Sequence, residues 1–280
     1  MKPKVSVCVP AYNNEDTIVE TLECVLNQTY RDLELIVVDD NSSDATYEVI
    51  RNFARERNDN RLKIFQNKEN LGMAGNWNYC LSLCDGEYLR LLCGDDLIDD
   101  DLVRREVEIL DQYPTVQMVS SDTRFVGLDG HLGGQYKRYH KSKVTEGRKA
   151  VLFSFFTRDY LGAPLANLFR REAYEKVGGF DRNFSYIIDY DFFTAIALLG
   201  NIYILHEPLN FFRLRPTSNT SEVLGGEGAN AYVEEHENLV RKYAKDLNLK
   251  EWQIRFSVTV RKAMIYLGDL YLKVFMKEKR

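Results

Sequence analysis

The sequence predicts an α/β protein with a mostly parallel sheet, helices on both faces and a helical extension at the C-terminal end. Three observations lead to this fold class. Short apolar runs alternate with amphipathic segments in the first third of the chain. The second run, LELIVVDD, is apolar on both faces, as strands of a buried parallel sheet are. From about Ala229 to Arg280 the pattern is wholly helical.

Each element of the first third has its own signal. The runs KVSVCVP, LELIVVDD, LKIFQN and EYLRLLC are short and apolar, which predicts four strands. The segments NNEDTIVETLECVLNQ, SSDATYEVIRNFARER and GMAGNWNYCLSLC carry apolar residues at helical spacing and predict three helices. Strands that alternate with helices in this way form a parallel sheet whose carboxyl ends share one edge, where ligands bind.

The alternation loosens after Pro114. We predict strands in VQMVSSDTRFVG, HLGGQYKRYHK, IYILHE and LNFFRLR, and helices over 146–156 and in DYDFFTAIALLGN. The segment ANLFRREAYEKVGGFD predicts a strand, then a helix that ends at a Gly-Gly pair.

Composition and charge exclude several classes of protein. The chain has 280 residues, 45% of them apolar and 28% charged, with a net charge of −5, so nothing indicates a nucleic-acid partner. No apolar stretch approaches the roughly 18 residues of a membrane span. The N-terminal apolar run is too short for a signal peptide. The five cysteines are widely spread and predicted to be reduced, as in a cytosolic protein.

Polar residues collect where the first four predicted strands end, so they share one edge and can reach one ligand. Asp99, Asp100 and Asp101 precede a helix and fit a helix start. Asp95 and Asp96 follow a glycine instead, and their charge favours a divalent cation held together with substrate phosphates. The strand-end residues are Pro10, Ala11, Tyr12 and Asn13, then Asp39 and Asp40, then Asn70, Gly72 and Asn76, then Gly94, Asp95 and Asp96.

Five segments in this order resemble the family 2 glycosyltransferases, which have the GT-A fold. They are VSVCVPAYNNEDTIVETLECVLNQTYRDLELIVVDDNSSDAT, ENLGMAGNWN, CGDD, VGGFD and DYDF, and they fall within about residues 4–215. The resemblance implies a catalytic domain over 1–215, with a nucleotide-binding half up to about residue 113 and an acceptor half over 114–215. A mobile loop over 216–228 and a helical extension over 229–280 would follow.

The resemblance implies a role for each matching residue. Tyr12 would stack on the nucleotide base and Asp40 would accept a base N–H, with Asp39 close to the nucleotide sugar or in support. Asp95 would hold Mg²⁺ or Mn²⁺ at the diphosphate, and Asp96 would lie near the donor sugar. Asp39 and Asp40 also fit a helix cap, although one carboxylate suffices there. The other nucleotide-binding residues would be Pro10, Ala11, Asn13, Asn70, Gly72, Asn76 and Gly94.

Two positions depart from the family pattern. The metal motif usually reads Asp-x-Asp, and Cys93 stands at its first acidic place, so the metal would rest mainly on Asp95. The second half usually reads Glu-Asp-x-Asp, where Asp189 matches the general base, Asp191 is its catalytic companion, and Ile188 replaces the Glu. We expect both aspartates to face outward from an apolar helix start, where a cap and a first-turn acid remain the alternative. A carboxylate beside isoleucine would be less solvated, which raises its pKa.

The resemblance therefore implies a metal-dependent, inverting glycosyltransferase that moves a sugar from a nucleotide-diphosphate donor, with UDP favoured, to a saccharide or lipid-linked acceptor. Its place would be in polysaccharide or glycoconjugate assembly. Arg213 and Arg215 would bind the diphosphate or would simply be exposed. One alternative is a sugar-nucleotidyltransferase, although PAYNNED lacks the basic Gly-rich loop expected of one. The other is a nucleotide-sugar-binding module without catalysis, which Cys93 and Ile188 suggest.

The C-terminal segment is basic and apolar. Residues 241–280 contain eleven Lys and Arg against four acids, and Met264, Leu267 and Tyr271 recur at helical spacing. Such a helix either lies on an anionic membrane or buries its apolar stripe against protein. We expect a cytoplasmic protein in which residues 229–280 pack on the catalytic domain, form a homodimer or contact the inner membrane face.

Overall fold

The computed structural model describes residues 3–127, 131–137, 141–214, 222–223 and 228–275, and no side chain beyond residue 267. The predicted mobile loop therefore lies almost wholly outside the described residues. The strands are β1 (Val5–Ala11), β2 (Leu33–Asp39), β3 (Leu62–Gln66), β4 (Tyr88–Leu91), β5 (Leu97–Ile98), β6 (Val116–Val126), β7 (Leu132–Tyr136), β8 (Lys143–Glu146), β9 (Asn167–Arg170) and β10 (Asn201–Arg213).

All the described strands belong to one sheet, whose main order is β3-β2-β1-β4-β9-β6-β10-β5. Strand β7 pairs with β6, and β8 pairs with β10. The first four strands in this order are parallel. Strand β9 is antiparallel to both of its neighbours, after which β6 and β10 are again parallel. The mostly parallel sheet predicted from the sequence is confirmed.

Helices cover both faces of the sheet. One apolar core lies between the sheet and α1 (Ile18–Leu26), α2 (Thr46–Arg57) and α4 (Leu102–Gln112). The other lies under α3 (Gly72–Ser82), α5 (Gly147–Phe156), α6 (Arg171–Val177) and α7 (Ile188–Leu198), with α8 (Ala229–Lys242) packed on it. The last helix is α9 (Glu251–Phe275). Every residue of β1 and β2 is buried because both faces of the sheet are covered.

The second half differs from the sequence prediction in its strands. IYILHE and LNFFRLR form the single strand β10, whose register against β6 shifts on both sides of Pro208. Proline has no N–H to donate, so within a sheet it is accommodated at such a bulge. The sequence analysis missed β5 and β8 because strands of two and four residues are too short to show a period. No side-chain cap closes the start of α4, where Asp101 instead pairs with Arg104.

Helix α9 packs through a different stripe from the predicted one. Met264 and Leu267 are 37% and 60% exposed, and the side chain of Tyr271 lies outside the described residues. The packed stripe contacts α8 and α5, and Ser257 Oγ donates to the carbonyl of Phe155 at 2.6 Å. Its buried residues are Ile254, Ser257, Val258 and Arg261. Within the described part of the chain, no helix combines the length and the apolarity needed to cross a membrane.

A buried ion pair lies in the middle of the sheet. Arg90 of β4 and Glu106 of α4 are wholly buried, and their side chains pair. Arg90 Nη1 also donates to the carbonyl of Leu165 and, at 3.3 Å, to Asn210 Oδ1. Ser121 Oγ donates to Glu106 Oε1 at 3.2 Å and accepts from Asn210 Nδ2 at 2.6 Å. Because the charges are buried together, removing one leaves the other uncompensated.

We expect Glu106→Gln to lower the free energy of unfolding by about 3–5 kcal/mol, since the guanidinium of Arg90 would keep its charge without a counter-ion. The matched control is Glu108→Gln on the same helix, because Glu108 is exposed and pairs with Arg104 at the surface. That change should cost well under about 1 kcal/mol. Urea unfolding measures both, and an equal loss in the two variants would contradict the importance of the buried pair.

Candidate functional site

A cavity of about 760 Å³ opens where β1, β2 and β4 end. Its opposite wall comes from residues 159–164, the residues that lead into α7, and helices α8 and α9. Most of the predicted site residues line this one cavity: Pro10, Ala11, Tyr12, Asp40, Asn70, Gly72, Asn76, Gly94, Asp95, Asp96 and Asp189.

The loop after β1 is held by its own polar side chains. Asn14 Oδ1 accepts from the N–H of Tyr12 at 2.9 Å, and Thr17 Oγ1 donates to the carbonyl of Gly94 at 3.0 Å. A Cβ atom at Gly94 would stand 2.8 Å from Asn14 Oδ1, so only glycine fits without a shift. Asn14, which the sequence analysis missed, therefore packs against Gly94, and the hydrogen bond from Thr17 joins the ends of β1 and β4. The side chain of Tyr12 is half exposed and lines the cavity.

Asn13 and Asp39 do not line the cavity. Asn13 has a φ of 52°, and its Oδ1 accepts from the N–H of Ser43 at 3.0 Å. Asp39 is wholly buried and accepts hydrogen bonds from Ser42 Oγ at 2.5 Å and Gln66 Nε2 at 3.1 Å. Both residues brace the loops that carry the lining residues.

Asp40 is oriented by the connection between β3 and α3. Its Oδ1 accepts from Asn67 Nδ2 at 2.7 Å and from the N–H of Leu71 at 2.9 Å. Asn67 Nδ2 also donates to Asn76 Oδ1 at 3.1 Å. No described residue donates to Oδ2 of Asp40, so this oxygen is the acceptor that the side chain offers to a ligand.

Asp95 and Asp96 are adjacent but differ in their surroundings. Asp96 is 2% exposed, and its Oδ1 accepts from the N–H of Arg213 at 3.0 Å. Burial, together with the charge of Asp95, raises the pKa of Asp96 well above its ordinary value. Asp95 is more exposed and lines the cavity. The two carboxylates are therefore not equivalent, and burial disfavours the charged form of Asp96.

The ligand set for a divalent ion at this point is small. Burial raises the pKa of the Cys93 thiol well above its ordinary value, so Cys93 stays a neutral thiol and a poor ligand for Mg²⁺. No three His, Cys, Asp or Glu residues in the described part of the chain form a metal cluster. Mg²⁺ is usually bound by one or two carboxylates, substrate phosphates and water. Asp95 at the cavity wall fits that arrangement.

The guanidinium of Arg213 binds other groups of the protein. Its Nε donates to the carbonyl of Asp95 at 2.9 Å, and its Nη2 pairs with Glu20 Oε2 at 2.5 Å. Arg213 is 6% exposed and does not line the cavity, so it braces the loop that carries Asp95. Arg215, the other predicted diphosphate ligand, lies outside the described residues.

The first turn of α7 places Asp189 in the cavity wall. Its Oδ2 accepts from the N–H of Ala163 at 2.8 Å, and its Oδ1 accepts from the N–H of Tyr190 at 2.8 Å. Burial, and next the charge of Asp159, raises the pKa of Asp189 to about 6. Ala163 holds a φ of 63°, which a residue with a Cβ rarely adopts. That conformation directs its N–H at the carboxylate.

Asp191 does not face outward as predicted. It is 3% exposed, and its two carboxylate oxygens lie 2.8 and 2.9 Å from Lys242 Nζ. Tyr243 donates its hydroxyl to Asp191 Oδ1 at 3.0 Å. Because α8 covers this side of α7, Asp191 anchors the C-terminal helices and does not line the cavity.

The opposite wall contains residues that the sequence analysis missed. No motif marks them, because they come from separate segments that meet only in the folded chain. A signal did exist for Arg261, which falls on the helical stripe of Ile254, Val258 and Ile265 and is thus an arginine on a buried face. The missed lining residues include Asp159, Ala163, Tyr186, Tyr232, Arg261 and Met264.

The family model described as Glycosyl transferase family 2 matches residues 6–178. The Bacillus subtilis protein EpsE is 38% identical to this chain over 119 residues, which make up 42% of each protein. The chondroitin synthase of Pasteurella multocida is 28% identical over 254 residues, or 89% of this chain and 25% of the synthase. The chain thus spans less than half the length of these two relatives.

Solved structures show the same fold. S. aureus TarS 1-349 in complex with UDP-GlcNAc matches 98% of this chain and 73% of its own, with a TM-score of 0.68 and 22% identity. The mannosyltransferase PcManGT from Pyrobaculum calidifontis, in complex with GDP-Man and Mn²⁺, matches 100% of this chain and 83% of its own, with a TM-score of 0.60 and 20% identity. The GT-A fold expected from the sequence is confirmed.

Proposed function

Because the chain belongs to glycosyl transferase family 2, we propose that it moves a sugar from a nucleotide-diphosphate donor to a hydroxyl group of a saccharide or lipid-linked acceptor. One observation carries this proposal: Tyr12, Asp40, Asp95 and Asp189 line the same cavity. Tyr12 suits stacking on a nucleotide base, and Asp40 suits accepting an N–H of that base. Asp95 suits a metal-bound diphosphate, and Asp189 suits accepting the proton of the acceptor hydroxyl. Similarity to relatives that assemble polysaccharides supports a role of the same kind.

The nucleotide would lie at the ends of β1 and β2. The half-exposed ring of Tyr12 offers a stacking surface for the base. Oδ2 of Asp40 would accept the imide N–H of uracil, and Oδ1 is already held by Asn67 and Leu71. We favour UDP because similarity to a structure with bound UDP-GlcNAc supports it. Asp96 lines the same cavity beside Asp95 and would lie near the donor sugar.

Asp95 would hold Mg²⁺ or Mn²⁺ together with oxygens of the donor diphosphate. When bound, such an ion neutralises the charge that develops on the departing diphosphate. The similar mannosyltransferase structure that contains Mn²⁺ supports this assignment. Arg213 would act indirectly, since its guanidinium fixes the backbone carbonyl of Asp95.

Asp189 would be the general base. A carboxyl with a pKa of about 6 is mostly ionised at neutral pH and is a stronger base than an ordinary aspartate. The N–H groups of Ala163 and Tyr190 fix both of its oxygens, which orients the group for proton removal. Attack by the acceptor hydroxyl on the face opposite the diphosphate inverts the anomeric carbon in one displacement. No covalent nucleophile is needed.

A panel of UDP-, GDP- and dTDP-sugars with Mn²⁺ tests the donor assignment. A ligand at about 100 times its dissociation constant adds about 2.7 kcal/mol of stability, so UDP-sugars should raise the unfolding temperature most. Tyr12→Ala and Asp40→Asn should remove that shift, and Mn²⁺ alone is the control. A larger shift with GDP-sugars would overturn the choice of base. Binding without release of any nucleoside diphosphate would favour a non-catalytic module. Release of pyrophosphate from a nucleoside triphosphate would favour a nucleotidyltransferase.

We expect Asp189→Asn to lower the transfer rate by about 10²–10⁴, because the amide keeps the shape of the side chain and cannot accept the proton. Donor affinity should change little. Asp191→Asn is the matched control, since Asp191 lies two residues further along α7 and pairs with Lys242 away from the cavity. Steady-state kinetics decides. The assignment fails if Asp191→Asn loses the rate and Asp189→Asn keeps it.

The transfer rate should fall as the pH drops through about 6, because protonated Asp189 cannot act as a base. Asp159→Asn removes a negative charge that disfavours ionised Asp189, so the pKa of Asp189 falls and the acid limb of the pH profile moves to lower pH. The midpoint of the acid limb should still lie above the ordinary pKa of an aspartate, since burial is the larger cause of the raised pKa of Asp189. The exposed Asp246→Asn is the control, and an unmoved limb in Asp159→Asn would contradict the coupling.

A membrane contact of residues 229–280 remains a prediction, and it would involve one exposed side of α9. Trp252 and Phe256 are 64% and 52% exposed there, next to the exposed Arg255 and Lys262. Basic residues near an anionic surface each add about 1 kcal/mol, so the full chain should float with anionic vesicles at low salt. The double change Trp252→Ser and Phe256→Ser should prevent flotation, whereas Leu199→Ser should not. If the full chain stays unbound, this side of α9 is not a membrane surface.

A further inference from the structure

The cavity is acidic except at one point. Its charged lining residues in the described part of the chain are five aspartates and Arg261. The aspartates are Asp40, Asp95, Asp96, Asp159 and Asp189. Arg261 comes from α9 and is 4% exposed, so its charge is removed from bulk water and lies at the cavity wall.

The guanidinium of Arg261 is only partly satisfied by the protein. Its Nη2 donates to the carbonyl of Ser154 at a long 3.3 Å, and its Nε has no hydrogen-bond partner. Its Cζ lies 5.6 Å from the ring centroid of Tyr190 and 6.0 Å from that of Tyr232. Among the residues that the structure describes, no carboxylate forms an ion pair with it. A guanidinium has five N–H donors, and burying it without an anion is unfavourable.

Arg261 lies on the side of the cavity that holds the proposed base. Asp159 acts electrostatically on both Arg261 and Asp189, and Tyr232 is within electrostatic range of all three. The donor diphosphate is assigned to Asp95, which lies on the loop after β4 in the opposite wall. Arg261 therefore lies on the side of the cavity from which, in the proposed function, the acceptor hydroxyl would approach.

The surroundings of Arg261 suit a sugar ring. Tyr186, Tyr232, Met264 and Ile265 line the same part of the cavity and present aromatic and apolar surface. An apolar sugar face packs on such side chains, while a charged substituent on the ring meets the planar fork of the guanidinium. That fork matches carboxylate and phosphate groups equally well in geometry.

We propose that Arg261 binds an anionic group of the acceptor, a carboxylate or a phosphate, and so selects acidic over neutral acceptors. This inference rests on the proposed function, because it names the acceptor class of that same site. Arg261 is on this account a specificity residue of the acceptor subsite, and its contact with Ser154 holds the side chain in place.

Glucose, glucuronate and glucose 6-phosphate, titrated into the full chain in the presence of UDP and Mn²⁺, test the proposal. We expect one acidic sugar to bind about tenfold more tightly than glucose, which corresponds to about 1.4 kcal/mol. Tighter binding of glucuronate identifies a carboxylate as the group that Arg261 binds, and tighter binding of glucose 6-phosphate identifies a phosphate. Arg261→Gln should bring the three dissociation constants together and leave that of UDP unchanged. Arg255→Gln is the control, because Arg255 is exposed on the same helix and pairs with Glu251.

The proposal is wrong if neither acidic sugar binds more tightly than glucose in the native protein, and equally if none of the three binds. It is also wrong if Arg261→Gln keeps the selectivity. Should Arg261→Gln fail to fold, the affinities of the native protein for the three sugars still decide. Arg261→Lys, which keeps the charge and loses the planar fork, should retain part of the selectivity. A native protein that binds UDP without sugar selectivity contradicts the role of Arg261 alone. A native protein that binds no nucleotide contradicts the proposed function.

Discussion

The guanidinium of Arg90 joins segments that are far apart in the sequence. Its partners come from α4, from β10 and from the turn before β9, namely Glu106, Asn210 and Leu165. A buried charge tolerates no missing partner, so these three segments must be in place together. Through Leu165 the same group fixes the turn that contains Ala163, whose N–H holds Asp189. The position of the proposed base therefore depends on an ion pair in the middle of the sheet.

The surroundings of each aspartate decide its role, although the side chains are identical. Asp189 and Asp191 stand two residues apart on α7, yet one faces the cavity and the other meets Lys242 of α8. Asp95 and Asp96 are neighbours, yet burial and a backbone N–H set only Asp96 apart. In each pair the two acids therefore have different partners and different exposure. This division lets an acidic edge form without collecting the repulsion of all its charges at one point.

The fold of the first half could be predicted from the sequence because strand and helix periods are local signals. The edge at which Asp40 and Asp95 lie followed from the topology of a parallel sheet. The roles of these residues were inferred from resemblance to a family. Their environments followed neither from the sheet topology nor from that resemblance. Asp39 and Asp40 are both buried, and the pattern around them does not show that only Asp40 lines the cavity. Their partners Gln66, Asn67 and Leu71 come from a later part of the chain. The lining by Tyr232 and Arg261 depends on how α8 and α9 dock, which no short pattern encodes.

The cavity is built from both ends of the chain, and this has a consequence for folding. Tyr12 and Asp40 belong to its first segments, while Arg261 and Met264 belong to its last helix. Contacts between such distant segments form late because the intervening chain must first be ordered. The edge that carries Tyr12 and Asp40 lies within the early part of the chain, which leaves the ribosome first. The cavity is therefore complete only when the last helix has docked, so its two walls become ordered at different stages of folding.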